Sequence, residues 1–139
     1  MSLTVMIVDD SLIMIQKLKT MVTELGHEVV RVCKDGEEAA RDYPLVKPDL
    51  VTMDITMPGM DGVDALKAIR ASDPHARCIM VTSHGQEAMV VRAIEAGAMG
   101  YVLKPVAKER LAEVIGRALG RLPKVATAMR WVDCPRQRQ

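Results

Sequence analysis

This chain contains no phenylalanine, and Tyr43, Tyr101 and Trp131 are its only aromatic residues. Surfaces that stack nucleic-acid bases or a flavin ring are built on aromatic faces, so neither is expected. No apolar run approaches the roughly 20 residues that span a bilayer. Nor does the N-terminus join a basic region to a long apolar segment, so no signal peptide is expected. Charge of either sign is also scarce in excess: the net is +1, which argues against a nucleic-acid surface covering the domain. The three cysteines, Cys33, Cys78 and Cys134, are odd in number and show no CxxC spacing. Two of them stand in strand-like runs, as buried reduced thiols of a cytoplasmic protein would. The core falls to Val, Ile, Leu, Ala and the 11 Met.

What is present is organised around Asp49-Leu50-Val51-Thr52-Met53-Asp54, followed by Ile55-Thr56-Met57-Pro58-Gly59-Met60-Asp61-Gly62. A short continuous apolar run reads as a strand buried on both faces. It ends in a carboxylate, and Pro58, Gly59 and Gly62 then mark a sharp loop. Ligands of open α/β sheets sit at such strand ends.

The rest of the chain repeats the unit. Val5–Val8 is a buried strand ending in Asp9-Asp10, with Ser11 as N-cap of a helix carrying Ile15, Leu18, Val22 and Leu25 and closed by Gly26. Glu28–Cys33 mixes polar and apolar positions, as an edge strand does. Asp35 and Glu38 have capping-box spacing for a short helix expected to stop near Tyr43, ahead of Pro44 and Pro48. Val63, Leu66 and Ile69 mark a third helix, and Cys78–Val81 a fourth strand running into Thr82-Ser83-His84-Gly85. Met89, Val90 and Ile94 are the apolar positions of the fourth helix, which ends at Gly97. Tyr101–Leu103 is a fifth strand ending in Lys104-Pro105, and Leu111, Val114, Ile115, Ala118, Leu119 and Leu122 stripe a fifth helix. Alternating strands and helices predict an α/β fold, a doubly wound parallel sheet with helices on both faces.

In such a sheet the carboxyl ends of all strands share one edge. Asp9, Asp10, Asp54, Thr82 and Lys104 therefore converge there. Any one of them alone has an ordinary explanation in capping, strand preference or solvation; all of them together do not. Crowded carboxylates repel and hold protons more tightly. A hard divalent cation relieves this: Mg²⁺ takes one or two carboxylates plus waters and leaves room for phosphate oxygens. Lys104 adds a point charge and the Thr82 hydroxyl a hydrogen-bond donor. A carboxylate nucleophile with these partners has the parts of phosphoryl transfer, so the chemistry reads as formation of an aspartyl phosphate on Asp54.

Asp9-Asp10, Met53-Asp54 through Gly62, Val81-Thr82-Ser83 and Gly97 through Pro105 together resemble the receiver domain of two-component response regulators, over about residues 3–122. The resemblance implies a five-stranded sheet of order 2-1-3-4-5, as in the family's chemotaxis member. It implies that Asp54 accepts a phosphoryl group from a sensor histidine kinase or phosphotransfer protein. Asp10, Asp54 and the Thr56 backbone carbonyl would bind Mg²⁺ (or Mn²⁺), with Asp9 acting largely through water. Thr82 and Lys104 would contact the phosphoryl group, and Lys104-Pro105 would be cis. Thr82 would then move toward the phosphate and let Tyr101 turn inward, reshaping the face of the fourth helix, fifth strand and fifth helix for a downstream protein. Thr56 and His84 occupy the positions that tune phosphate lifetime, and small Ser83 keeps the site accessible. Val106 stands where an aromatic is common, a departure that bears on partner contacts.

The domain is expected to span residues 1–122, ended by Pro123, with a short basic tail over 123–139 and no output domain. In that tail Lys124, Arg130, Arg136 and Arg138 stand against Asp133 alone. Direct DNA binding and membrane insertion are not expected, and homodimerisation is left open. The expected activity is a cytoplasmic signalling switch, not an enzyme apart from self-catalysed phosphotransfer and autodephosphorylation. Two rivals remain. A haloacid-dehalogenase-like phosphatase would carry a second Asp where Thr56 stands, and a flavodoxin-like binder would not place acids beside a flavin phosphate. A pseudo-receiver that binds without phosphorylation is the third.

Overall fold

A computed structural model describes residues 2–120. Strands and helices alternate as β1 (Thr4–Val8), α1 (Leu12–Glu24), β2 (Glu28–Cys33), α2 (Gly36–Val46), β3 (Leu50–Asp54), α3 (Gly62–Ser72), β4 (Cys78–Thr82), α4 (Glu87–Glu95), β5 (Gly100–Leu103) and α5 (Lys108–Gly120). All pairings are parallel, in the order β2-β1-β3-β4-β5. Every residue of β3 and β4 is buried, whereas β2 at the edge is largely open to solvent. The domain boundary at residue 122, the basic tail, Leu122, Trp131 and Cys134 lie outside the described residues.

Strand pleating divides the interior into two cores. Met6, Val8, Val51, Met53, Cys78 and Met80 face α2, α3 and α4. Val5, Ile7, Leu50, Ile79, Val81 and Val102 face α1 and α5. The alternation continues past the last core residue of each strand, since successive side chains point to opposite faces. Asp9 follows the parity of Val5 and Ile7, Asp54 that of Leu50, and Lys104 that of Val102. This shared parity aims all three toward the same side of the sheet's edge.

Caps fix where the helices begin. The Ser11 hydroxyl accepts from the Met14 N–H, and the Asp35 carboxylate accepts from the Glu38 N–H at 2.8 Å. The expected capping box closes differently: the Glu38 carboxylate accepts from the N–H of Lys34, at 2.6 Å, one residue ahead of the cap.

Two other expectations are corrected. The second helix does not stop near Tyr43 but runs through Pro44 to Val46. Proline removes one N–H and crowds the carbonyl four residues back. Here Pro44 is exposed in the last turn, and the helix ends two residues later, with Lys47 in the left-handed conformation and its N–H on the Tyr43 carbonyl. In α4, Ile94 is not a core position; it is 45% exposed, and Ala93 is the buried residue. Met89 and Val90 pack only partly against the core. Val91 and Ile94 are turned to solvent.

Val63, Leu66 and Ile69 of α3, and Leu111, Val114, Ile115 and Ala118 of α5, are buried as expected, while the side chain of Leu119 lies outside what the structure describes. Cys33 and Cys78 are free and buried, and burial pushes both thiols up to about 12, which keeps them protonated and inert.

Candidate functional site

Asp9 is completely buried just past β1. Its Oδ1 accepts the Ser11 N–H at 2.9 Å, so the turn into α1 holds the carboxylate in place. Its Oδ2 is buried without a hydrogen-bond donor. Asp10, next in sequence, is exposed. Asp54 ends β3 with 4% exposure. One carboxylate oxygen from each of Asp9, Asp10 and Asp54 lies within 4.8 Å of the others. Lys104 Nζ stands 3.5 Å from Asp54 Oδ1 and 3.7 Å from Asp9 Oδ2, bridging the two buried acids. These separations exceed a direct charge-assisted hydrogen bond, so the lysine acts as a point charge between them. The peptide bond that follows it, Lys104-Pro105, is cis as expected.

The electrostatics follow from this crowding. Burial is the main cause that raises the Asp54 pKa to about 6, and the Asp9 charge raises it further; Lys104 and the Thr56 N–H pull the other way. Burial likewise raises Asp9, opposed by the Ser11 N–H and Lys104. Three carboxylates against one lysine leave an excess of negative charge in a largely enclosed place. An all-oxygen donor set with one buried, unsatisfied oxygen suits a hard divalent cation. The described residues therefore fit Mg²⁺ or Mn²⁺.

Thr82 ends β4 on the opposite parity and is fully buried. Its hydroxyl donates to Gln86 Oε1 at 2.7 Å and lies 3.3 Å from the Ser83 carbonyl. Gln86 Oε1 also accepts the Ser83 N–H at 2.9 Å, and its Nε2 donates to the Thr56 hydroxyl. Gln86 is thus part of the site, although nothing in the periodicity singled it out. Only the structure marks it: it occupies the N-cap of α4, where Ser, Thr, Asp or Asn is preferred, and makes no capping bond.

The other expected residues are more dispersed. His84 and Ser83 are exposed in the β4–α4 loop. Tyr101 is 39% exposed on β5 and lines a groove with Leu103, Pro105, Ala107 and Arg110. Val106, which stands where an aromatic is common, is 8% exposed and packs into the core shared by α1 and α5.

A sheet of this order with acids and a lysine at its carboxyl edge defines a class, and comparison with known proteins gives the same class. The response regulator receiver domain family matches residues 5–116. The chain belongs to that family. Chemotaxis protein CheY of Thermotoga maritima is 45% identical over 113 residues, covering 81% of this chain and 94% of that protein. CheY of Bacillus subtilis is 44% identical over 115 residues, 83% of this chain and 96% of the other. A solved complex of CheX with CheY, BeF₃ and Mg²⁺ from Borrelia burgdorferi is similar at a TM-score of 0.80 and 34% identity, over 84% of this chain and 88% of that one. Family membership makes the chain a phosphorylation-dependent signalling protein rather than a classical enzyme. Among the described residues, no helix is long and apolar enough to cross a membrane.

Proposed function

We propose that Asp54 accepts a phosphoryl group from a phosphohistidine on a sensor histidine kinase or phosphotransfer protein. The observation that carries this reading is the meeting of Asp9, Asp10 and Asp54 at one sheet edge with Lys104 between the buried pair. An Asp54 carboxylate oxygen attacks phosphorus, the bond from phosphorus to the imidazole nitrogen breaks, and that nitrogen keeps the electron pair. Lys104 balances charge on Asp54 before transfer and on the phosphoryl oxygens after it.

Asp10, Asp54 and the Thr56 carbonyl would hold Mg²⁺ directly, and Asp9 through water. When bound, the cation neutralises the charge that the acceptor and the phosphoryl oxygens share. The Thr82 hydroxyl then donates to a phosphoryl oxygen, and Tyr101 turns inward from its half-exposed position. This two-state change alters the groove beside Tyr101 and the exposed Val91 and Ile94, the surface for a downstream protein. Thr56, two residues past the acceptor, and His84, in the exposed β4–α4 loop, set the lifetime of the phosphate.

Intact mass after incubation with acetyl phosphate tests the reading. One phosphoryl group is expected to add in the presence of Mg²⁺ and none after chelation. A folded protein that takes up no phosphoryl group under either condition would overturn it, leaving a receiver that works by binding alone.

A further inference from the structure

We infer that Gln86 is a latch that holds the unphosphorylated arrangement, by occupying the one proton that Thr82 can offer. A hydroxyl carries a single donor. In this structure the Thr82 proton goes to Gln86 Oε1 at 2.7 Å, the Ser83 carbonyl being a longer second acceptor at 3.3 Å, and Thr82 is fully buried, so no water competes for it from outside. Thr82 cannot donate to a phosphoryl oxygen until that bond breaks.

The glutamine is itself tied down at each polar atom. Its oxygen accepts from both Thr82 and the Ser83 N–H, and its nitrogen donates to Thr56 on the loop after the acceptor. The side chain therefore clasps the end of β4 to the β3–α3 loop across the mouth of the site. It serves no helix-capping purpose that would explain its place. Gln86 is a positioning residue: it acts through Thr82 and Thr56, not on the reacting atoms. Its release sets how readily the chain adopts the phosphorylated arrangement.

This inference rests on the receiver reading, and the test separates the two. Beryllofluoride with Mg²⁺ is the phosphoryl mimic, and calorimetry gives its affinity for wild type, Gln86→Met and Gln86→Glu. Methionine matches the length of glutamine and makes none of the three bonds. A net hydrogen bond has an order of magnitude that predicts about fivefold tighter binding for Gln86→Met. In metal-free protein without ligand, exchange of the Ser83 amide should quicken in Gln86→Met and return toward wild type in Gln86→Glu, which keeps the acceptor oxygens. A merely structural role would move phosphoryl-mimic affinity alike in both variants, whereas Gln86→Glu, which keeps an acceptor for Thr82, should bind beryllofluoride no tighter than wild type; tighter binding by Gln86→Glu would also overturn the latch.

Unchanged or weaker beryllofluoride binding by folded Gln86→Met, with wild type binding normally, would overturn the latch and leave the receiver reading intact. A wild type that binds no beryllofluoride would overturn the receiver reading, and the latch with it.

Discussion

Asp54→Asn is expected to abolish phosphoryl uptake from acetyl phosphate while making the metal-free fold about 2 kcal/mol more stable near neutral pH. The first effect is the loss of the nucleophile. The second follows from burial. Asp54 ordinarily would titrate at 3.8, and the folded site raises it to about 6. Below the lower value the side chain is protonated in both folded and unfolded chains and contributes nothing. Between the two values the folded chain takes up a proton that the unfolded chain has released. Above the higher value the folded chain carries a buried charge at its full penalty, about 3 kcal/mol from the size of that rise. Solvent reaching the cluster beside exposed Asp10 screens part of it, which leaves about 2.

Asparagine keeps the shape and drops the charge. Lys104 does not lose its partner, because Asp9 remains 3.7 Å away. Chemical denaturation in chelator should therefore show the variant ahead of wild type near neutral pH, with the gap closing as pH falls through about 6 toward 4. Millimolar Mg²⁺ should restore wild type toward the variant and do little for the variant. An asparagine variant weaker than wild type at every pH would mean that Asp54 stabilises the fold by its contacts, against the account of crowded charge.

What could be read from the sequence at this site was chemical identity at strand ends. Asp9, Asp54, Thr82 and Lys104 each terminate an apolar run, and a parallel sheet gathers such ends without further information. Pleat parity goes one step further and sorts Asp9, Asp54 and Lys104 from Thr82. Gln86 was not legible, because its partners Thr82, Ser83 and Thr56 are brought to it by the path of a loop, which no periodicity encodes. The helix errors have the same origin. A rule about proline does not say that Pro44 falls where the helix is about to end anyway. Apolar spacing in α4 does not reveal that the smallest candidate, Ala93, faces the sheet and that Ile94 faces away.

Gly62→Ala should slow phosphorylation severely, although the residue carries no chemistry. A Cβ at Gly62 would lie 2.2 Å from the Asp54 carbonyl oxygen and 2.9 Å from the Ile55 Cα, and both of these neighbours are backbone. The first residue of α3 is thus packed directly on the acceptor's own main chain, fastened by the Gly62 N–H on the Ile55 carbonyl at 2.8 Å. Either α3 or Asp54 must yield to the added methyl. Val63, Ala65, Leu66 and Ile69 of the helix and all of β3 are buried, so neither side moves freely and the end of β3 that carries Asp54 shares the strain. Overpacking of this kind costs about 3 kcal/mol. A displacement of the acceptor by about 1 Å lowers the phosphorylation rate on the order of 100-fold. Gly59→Ala in the same loop is the control. Its φ of +75° strains any side chain, but nothing lies within 4 Å of the added carbon. That variant should lose only about 1 kcal/mol and keep most of its phosphorylation rate. Equal losses in the two variants would trace the effect to the stiffness of the loop. A loss confined to Gly62→Ala would trace it to the close approach that holds Asp54 in position.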